Sequence, residues 1–236
     1  MGFARELASA PPRPRRRGLA AVAAGTAVAV ALGLGMAFVV PEWRSVNLRR
    51  NEYRARWMMM KIHGAQSQMQ ASTSCDPDGD GFGRHGFFRE LAVAPALQPM
   101  AQCPAESFFA PALPREFHRV EEGRVHARGY VFEMFLPALG GGWVSERDPA
   151  AAQKVDERLA AAQWLCYAWP ESWGSTGKTV YVATAGGSLL MSPNTDARCD
   201  GERGPRPGAG FLAPEVGSAP AAMATDCLGE AWYSIS

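Results

Sequence analysis

A chain of 236 residues has room for one membrane segment and one domain of ordinary size, so one folded domain is expected rather than two large cores. A formal net charge of +1 gives no field that would gather nucleic acid, which sets that class of partner aside. The 25 glycines and 18 prolines fall mostly after residue 75, so the C-terminal two-thirds reads as turn-rich, with short elements.

Residues 1–17 form a basic N-terminus that ends in Arg15, Arg16 and Arg17. From Gly18 to Val40 no residue is charged. As a helix, the run from Leu19 would be about 33 Å long at roughly 1.5 Å per residue, which suits a hydrocarbon core of about 30 Å. The segment 18–40 therefore reads as a transmembrane helix, and the competing reading is a signal peptide cut near Gly35-Met36-Ala37. Gly25, Gly33 and Gly35 would let another membrane helix approach closely. Arginines lie on both sides of the span, so the positive-inside rule does not fix the orientation. All five cysteines (75, 103, 166, 199 and 227) lie beyond the span with no CxxC spacing, which favours an oxidising exterior. The expected placement is the inner (cell) membrane, single-pass, with the N-terminus cytoplasmic and the bulk periplasmic.

Residues 41–74 read as an amphipathic stalk. Pro41 should kink the rod or separate two helices, because it lacks a backbone donor. Trp43, Val46, Tyr53, Trp57 and Met60 recur at helical steps beside a second line, Met58, Ile62, Ala65 and Met69. Together they predict one broad apolar face opposite an arginine-rich one. Next, Asp76, Asp78 and Asp80 alternate before Gly81, a spacing that can wrap oxygen ligands around Ca²⁺. Phe87 occupies the twelfth place, where an EF-hand loop needs glutamate, so a calcium site and a solvated Asx-turn loop both stand.

Within residues 75–192, Gly129–Leu136 and Trp164–Trp169 read as strands. Lys178–Thr184 and Ser188–Met191 flank a Gly186-Gly187 turn, and Pro149–Gln163 reads as a short helix. The expected fold is α+β: a long N-terminal transmembrane-plus-stalk helix laid on a small antiparallel sheet of three or four strands. Residues 193–236 lack an apolar period and read as an irregular Pro/Gly-rich tail. Five cysteines allow many pairings. A bridge between Cys75 and Cys103 would pin the acidic loop, and one between Cys199 and Cys227 would close the tail, leaving Cys166 as buried packing.

The order of these features resembles the pilin-like proteins of the type II secretion and type IV pilus group, over roughly residues 38–192. The resemblance is carried by Asn51-Glu52, Ala65-Gln66-Ser67-Gln68, the acidic glycine loop 76–83, and Gly86-Phe87-Phe88-Arg89-Glu90-Leu91. The strand segments 129–132 and 166–170 continue it. One departure is plain: Gly18 leads into Leu19-Ala20-Ala21 rather than the aromatic and early glutamate of a prepilin processing site. The resemblance implies a pilin-like fold and, as partners, the lipid bilayer with other membrane helices or pseudopilin-type subunits.

Catalytic signals are weak. Gly174-Ser175-Thr176-Gly177-Lys178-Thr179 echoes a phosphate loop, yet it lacks the first glycine and leads into a strand, so it reads as a hairpin turn. His63, His85, His118 and His126 lack metal-ligand spacing, no serine occupies a G-x-S-x-G elbow, and Glu121-Glu122 reads as a solvated turn. The expectation is a membrane-anchored structural or interaction subunit and not an enzyme. The alternative is a periplasmic ligand-binding module on the same anchor, calcium-stabilised or using Trp143, Trp169 and Trp173.

Overall fold

The structure, a computed structural model, describes residues 16–71, 83–92, 113–211, 213, 216–217, 224–225 and 231–235. Side chains of 16–41 and 224–225 lie outside that description. Two compact units divide the chain, Met1–Ser45 and Val46–Ser236. In the first, the backbone is helical from Arg16 and remains so through Pro41, which therefore separates no helices. Among the described residues no helix is long and apolar enough to cross a membrane. The expected span, 18–40, is a stretch whose side chains are outside that set.

In the second unit a helix packs on an antiparallel sheet. Helix α1 (Arg16–Ala71) contributes its part after residue 45, followed by a short α2 (Phe88–Ala92) and a 3-10 turn (Arg115–His118). The strands are β1 (Arg124–Ala127), β2 (Tyr130–Pro137), β3 (Trp143–Ser145), β4 (Leu165–Pro170), β5 (Val180–Thr184), β6 (Leu189–Ser192), β7 (Ala224–Thr225) and β8 (Ala231–Ser234). They run in the order β1-β2-β4-β5-β6-β8-β7, with β3 paired to the far end of β2. The sheet is thus eight-stranded rather than three- or four-stranded.

Strand alternation sorts the core into two layers. Tyr130, Phe132, Met134 and Leu136 of β2, Cys166 and Ala168 of β4, and Tyr181 and Ala183 of β5 face one cluster with Ala55, Met59 and Ile62 of α1. Val131, Phe135, Leu165, Tyr167, Trp169 and Val182 face the other, with Ala209, Phe211 and Trp232. The irregular backbone after residue 192 therefore covers the second face of the sheet. Tyr167 Oη donates to Ala209 O (2.8 Å), and Trp169 Nε1 donates to Gly201 O (2.7 Å). Trp232 is carried by β8, a strand inside the segment read as irregular.

Two further expectations change. Of the two apolar lines on α1, Met58, Ile62 and Ala65 are buried, with Met69 packed against them. Val46, Tyr53, Trp57 and Met60 point to solvent, 58%, 72%, 40% and 53% exposed, as does Trp43. The face that meets the sheet is built on alanine and flexible methionine, which permit close approach; the larger aromatics share the outer face with the arginines. The helix expected over 149–163 is broken into α3 (Ala151–Lys154) and α4 (Glu157–Ala160). Val155 between them is extended and buried, and bridges Ala138; Leu139 N donates to Lys154 O (2.8 Å) and Asp156 N to Pro137 O (2.9 Å). Pairing with the end of β2 overrides local helix preference, and Asp156 restarts the helix by accepting from Leu159 N at 3.0 Å.

The two faces of α1 should respond differently to truncation. Ile62→Ala, fully buried, is expected to cost about 2–5 kcal/mol in urea unfolding, whereas Tyr53→Ala should stay within about 0.5 kcal/mol of the native chain. Equal losses would place the sheet on the wrong side of the helix.

Candidate functional site

Of the polar residues singled out on α1, Asn51, Glu52 and Gln66 fasten the helix to the backbone packed against it, whereas Ser67 and Gln68 are exposed. Glu52 Oε1 accepts from Lys178 N (3.0 Å), Thr179 N (3.3 Å) and Thr179 Oγ1 (3.2 Å). Beside it, Asn51 Nδ2 donates to Thr176 O (2.9 Å). The stretch 174–179 is therefore the turn leading into β5, gripped by α1 through its backbone. Its closeness is enforced by Gly177, where a Cβ would lie 2.3 Å from the Tyr130 hydroxyl oxygen.

One helical stretch further on, Gln66 is buried and pairs both ends of its amide with the backbone of Gly86. Nε2 donates to Gly86 O (2.7 Å) and Gly86 N donates to Oε1 (3.0 Å). Gln70, one turn along, donates through Nε2 to Ala161 O (2.7 Å). These bonds imitate strand pairing with a side chain, and they satisfy backbone groups that no sheet neighbour reaches. At Gly86 a Cβ would stand 2.7 Å from Met69 Sδ, so a side chain there would require the flexible end of Met69 to move.

Helix α2 is held by two carboxylates. Glu90 accepts from Phe87 N (2.7 Å) and pairs with Arg84 (2.6 Å). Glu146, 7% exposed, accepts from Phe88 N (3.1 Å) and Arg89 N (3.2 Å), capping the free amides of the helix start. Burial raises the Glu146 carboxyl above its ordinary range, against the opposing pull of Arg89 and the two amides. Sequence reasoning missed Glu146, since nothing in Ser145-Glu146-Arg147-Asp148 distinguishes it from a solvated loop acid.

A buried charge pair holds the opposite face. Arg124 Nε meets Glu133 Oε2 at 2.9 Å, Ser145 Oγ donates to Glu133 Oε1 (2.6 Å), and Arg124 Nη1 reaches Glu202 Oε2 (2.7 Å). The guanidinium also lies 5.1 Å from the Trp169 ring centroid. Here a signal existed: Glu133 is an acid in the middle of an apolar strand, which demands a buried partner.

His85 stands apart. It is 3% exposed, its ring lies edge-on to Trp164 at 6.1 Å between centroids, and Nδ1 has no hydrogen-bond partner among the described residues. Burial, with a smaller repulsion from His63, lowers it from 6.5 to about 4.

Of the residues expected to form sites, Asp76, Asp78, Asp80, Cys75, Cys103 and Cys227 lie outside the described residues. Gly25, Gly33 and Gly35 fall on the helical backbone of α1, with their packing outside the description. Cys199 is half-buried, its backbone held by both ends of the Asn194 amide (3.1 and 2.8 Å). Cys166 is a buried free thiol, pushed well above its ordinary range by burial, in keeping with packing. Among the described residues no group of His, Cys, Asp and Glu is placed to hold a metal ion. The expected ligand face is split: Trp169 is buried in the core, Trp173 Nε1 donates to Asn194 O (2.9 Å), and Trp143 is half-buried on β3. Glu121 pairs with Arg119 at the surface (2.7 Å).

Two measurements bear on these contacts. Gln66→Ala leaves Gly86 N and O buried without partners and should cost about 1–3 kcal/mol for each, read by chemical denaturation. His85 is neutral when folded and titrates near 6.5 when unfolded, so its contribution is complete above about 6.5 and is lost as pH falls towards about 4. The slope is at most about 1.4 kcal/mol per pH unit. Glu146 acts with the opposite sign, gaining stability as pH falls towards 4.5. The decisive reading is therefore the difference between native chain and His85→Phe, which should shrink the loss between pH 6.5 and 4.

Compared with protein-family models, curated proteins and solved structures, the chain matches none.

Proposed function

We propose that the chain is a membrane-anchored structural and interaction subunit: residues 18–40 hold it in the inner membrane, and a pilin-like domain displays the stalk helix to partner subunits. The observation that carries this reading is the two-sided use of α1. One face is fastened to the sheet by Glu52, Gln66 and Gln70, while the other leaves Val46, Tyr53, Trp57 and Met60 in solvent. An apolar row of this kind on an otherwise charged helix is a contact surface in search of a partner. The uncharged run 18–40 supplies the anchor, and the cysteines beyond it suit an exported domain.

The anchor is tested by alkaline carbonate extraction of the full-length chain, with protease added outside spheroplasts. The chain should stay in the membrane pellet and lose its C-terminal domain to the protease, and Val28→Arg with Val30→Arg should release it. A native chain found in the carbonate supernatant, or a domain shielded until the cells are broken, would overturn the reading.

A further inference from the structure

The outward face of α1 has a finer pattern than exposure alone. Val46, Arg50, Tyr53, Trp57, Met60 and Gly64 follow one another at steps of four, three, four, three and four. That is the a/d spacing of a two-stranded coiled coil, a seam about 27 Å long at 1.5 Å per residue. It lies opposite Met59 and Ile62, which are sealed against the sheet. The flanking positions are Arg49 and Arg56 on one side and Arg54 and Lys61 on the other. Lys61 Nζ lies 5.3 Å from the Trp57 ring centroid, which keeps that charge beside the seam. A Cβ on Gly64 would meet nothing within 4 Å, so the far end of the seam is open to a close neighbour.

We propose that this seam receives one amphipathic helix of another polypeptide, with an apolar a/d stripe and acidic flanks, and with an acidic or amide side chain opposite Arg50. The inference rests on the reading of the chain as an interaction subunit and adds the chemistry of the partner. Charge decides against a second copy. Pairing two such seams in parallel sets Arg49 against Arg54 and Arg56 against Lys61, and antiparallel pairing also sets base against base. Like charges at those positions disfavour association and select a partner of opposite sign. Shape decides against a membrane surface: an interfacial helix needs a wide apolar face, whereas this row is one side chain wide, contains Arg50 and is walled by bases on both sides.

The test uses the full-length chain in phosphatidylcholine nanodiscs, or in plain buffer if carbonate extracts it, so that loss of the anchor and loss of the seam are read separately. The probe is a labelled helical peptide of about three heptads with Leu at a and d and Glu at e and g. A Lys-flanked version and a version with Ser replacing the Leu core serve as its controls. The Glu-flanked peptide should bind, and either control should bind at least about tenfold more weakly. Trp57→Ala with Tyr53→Ala should weaken it by about tenfold or more, while Arg49→Glu, Arg54→Glu and Lys61→Glu together should transfer preference to the Lys-flanked peptide. These side chains lie on the outer face, and an unchanged unfolding midpoint confirms that the variants fold. The proposal fails if the peptides bind alike or if the substitutions change nothing. It fails equally if Trp57→Cys chains cross-link to one another unhindered by the acidic peptide, which would mean a second copy. Peptide-indifferent chains whose outer face binds phosphatidylglycerol vesicles through Trp57 would mean a lipid surface instead.

Discussion

Burial of β2 on both faces is the constraint from which the rest of the domain follows. Every residue from Tyr130 to Pro137 is buried, so the strand needs cover above and below. Above it, α1 supplies Ala55, Met59 and Ile62; below it, a chain segment with almost no regular structure supplies Ala209, Phe211 and, through β8, Trp232. An antiparallel sheet with one wet face would have alternated polar residues along β2, and only Glu133 breaks its apolar run. That one carboxylate is then compelled to find Arg124 and Ser145, because an unpaired charge there would be costly. Arg124 in turn reaches Glu202, so the buried pair also ties down the covering segment.

On the helix side the same logic selects amides and carboxylates that bind backbone. A helix and a sheet cannot exchange backbone hydrogen bonds, so any turn or loop caught between them must have its peptide groups met by side chains. Asn51, Glu52, Gln66 and Gln70 do this at intervals along α1, and Glu146 does it from β3's end for the start of α2. Gly86 and Gly177 are the complementary half of the device, since each occupies a place where a side chain would collide with Met69 or Tyr130.

How much of this was legible in the sequence depended on whether the cause was local. The stalk, β2, β4 and the β5–β6 hairpin were readable because periodicity and a glycine turn specify them over a few residues. β1, β3 and β8 were not, being three or four residues long and defined by the strand they pair with. The motif residues could be seen but not their work: Gln66 and Gly86 are twenty positions apart, and Glu52 acts on a turn far along the chain. Helical spacing revealed two apolar lines on α1, yet only the sheet determines that Met58 and Ile62 lie inside and Tyr53 and Trp57 outside.

That last choice is informative because the alternative was open to the same helix. Rotating α1 by half a turn would have buried the aromatics, at about 25 cal/mol for each Å² of apolar surface removed from water, and exposed methionines and alanines of lower transfer value. Such a rotation would also have driven Arg49, Arg54 and Lys61 towards the sheet, and it would have removed Gln66 from Gly86 and Glu52 from the 174–179 turn. The penalty for burying unpaired guanidinium groups exceeds what the aromatics would contribute. The fasteners and the arginines together therefore fix the rotation of the helix, and they fix it with its largest apolar side chains turned outwards. On the proposal made above, the bases walling that row set the sign of charge that a partner would bring.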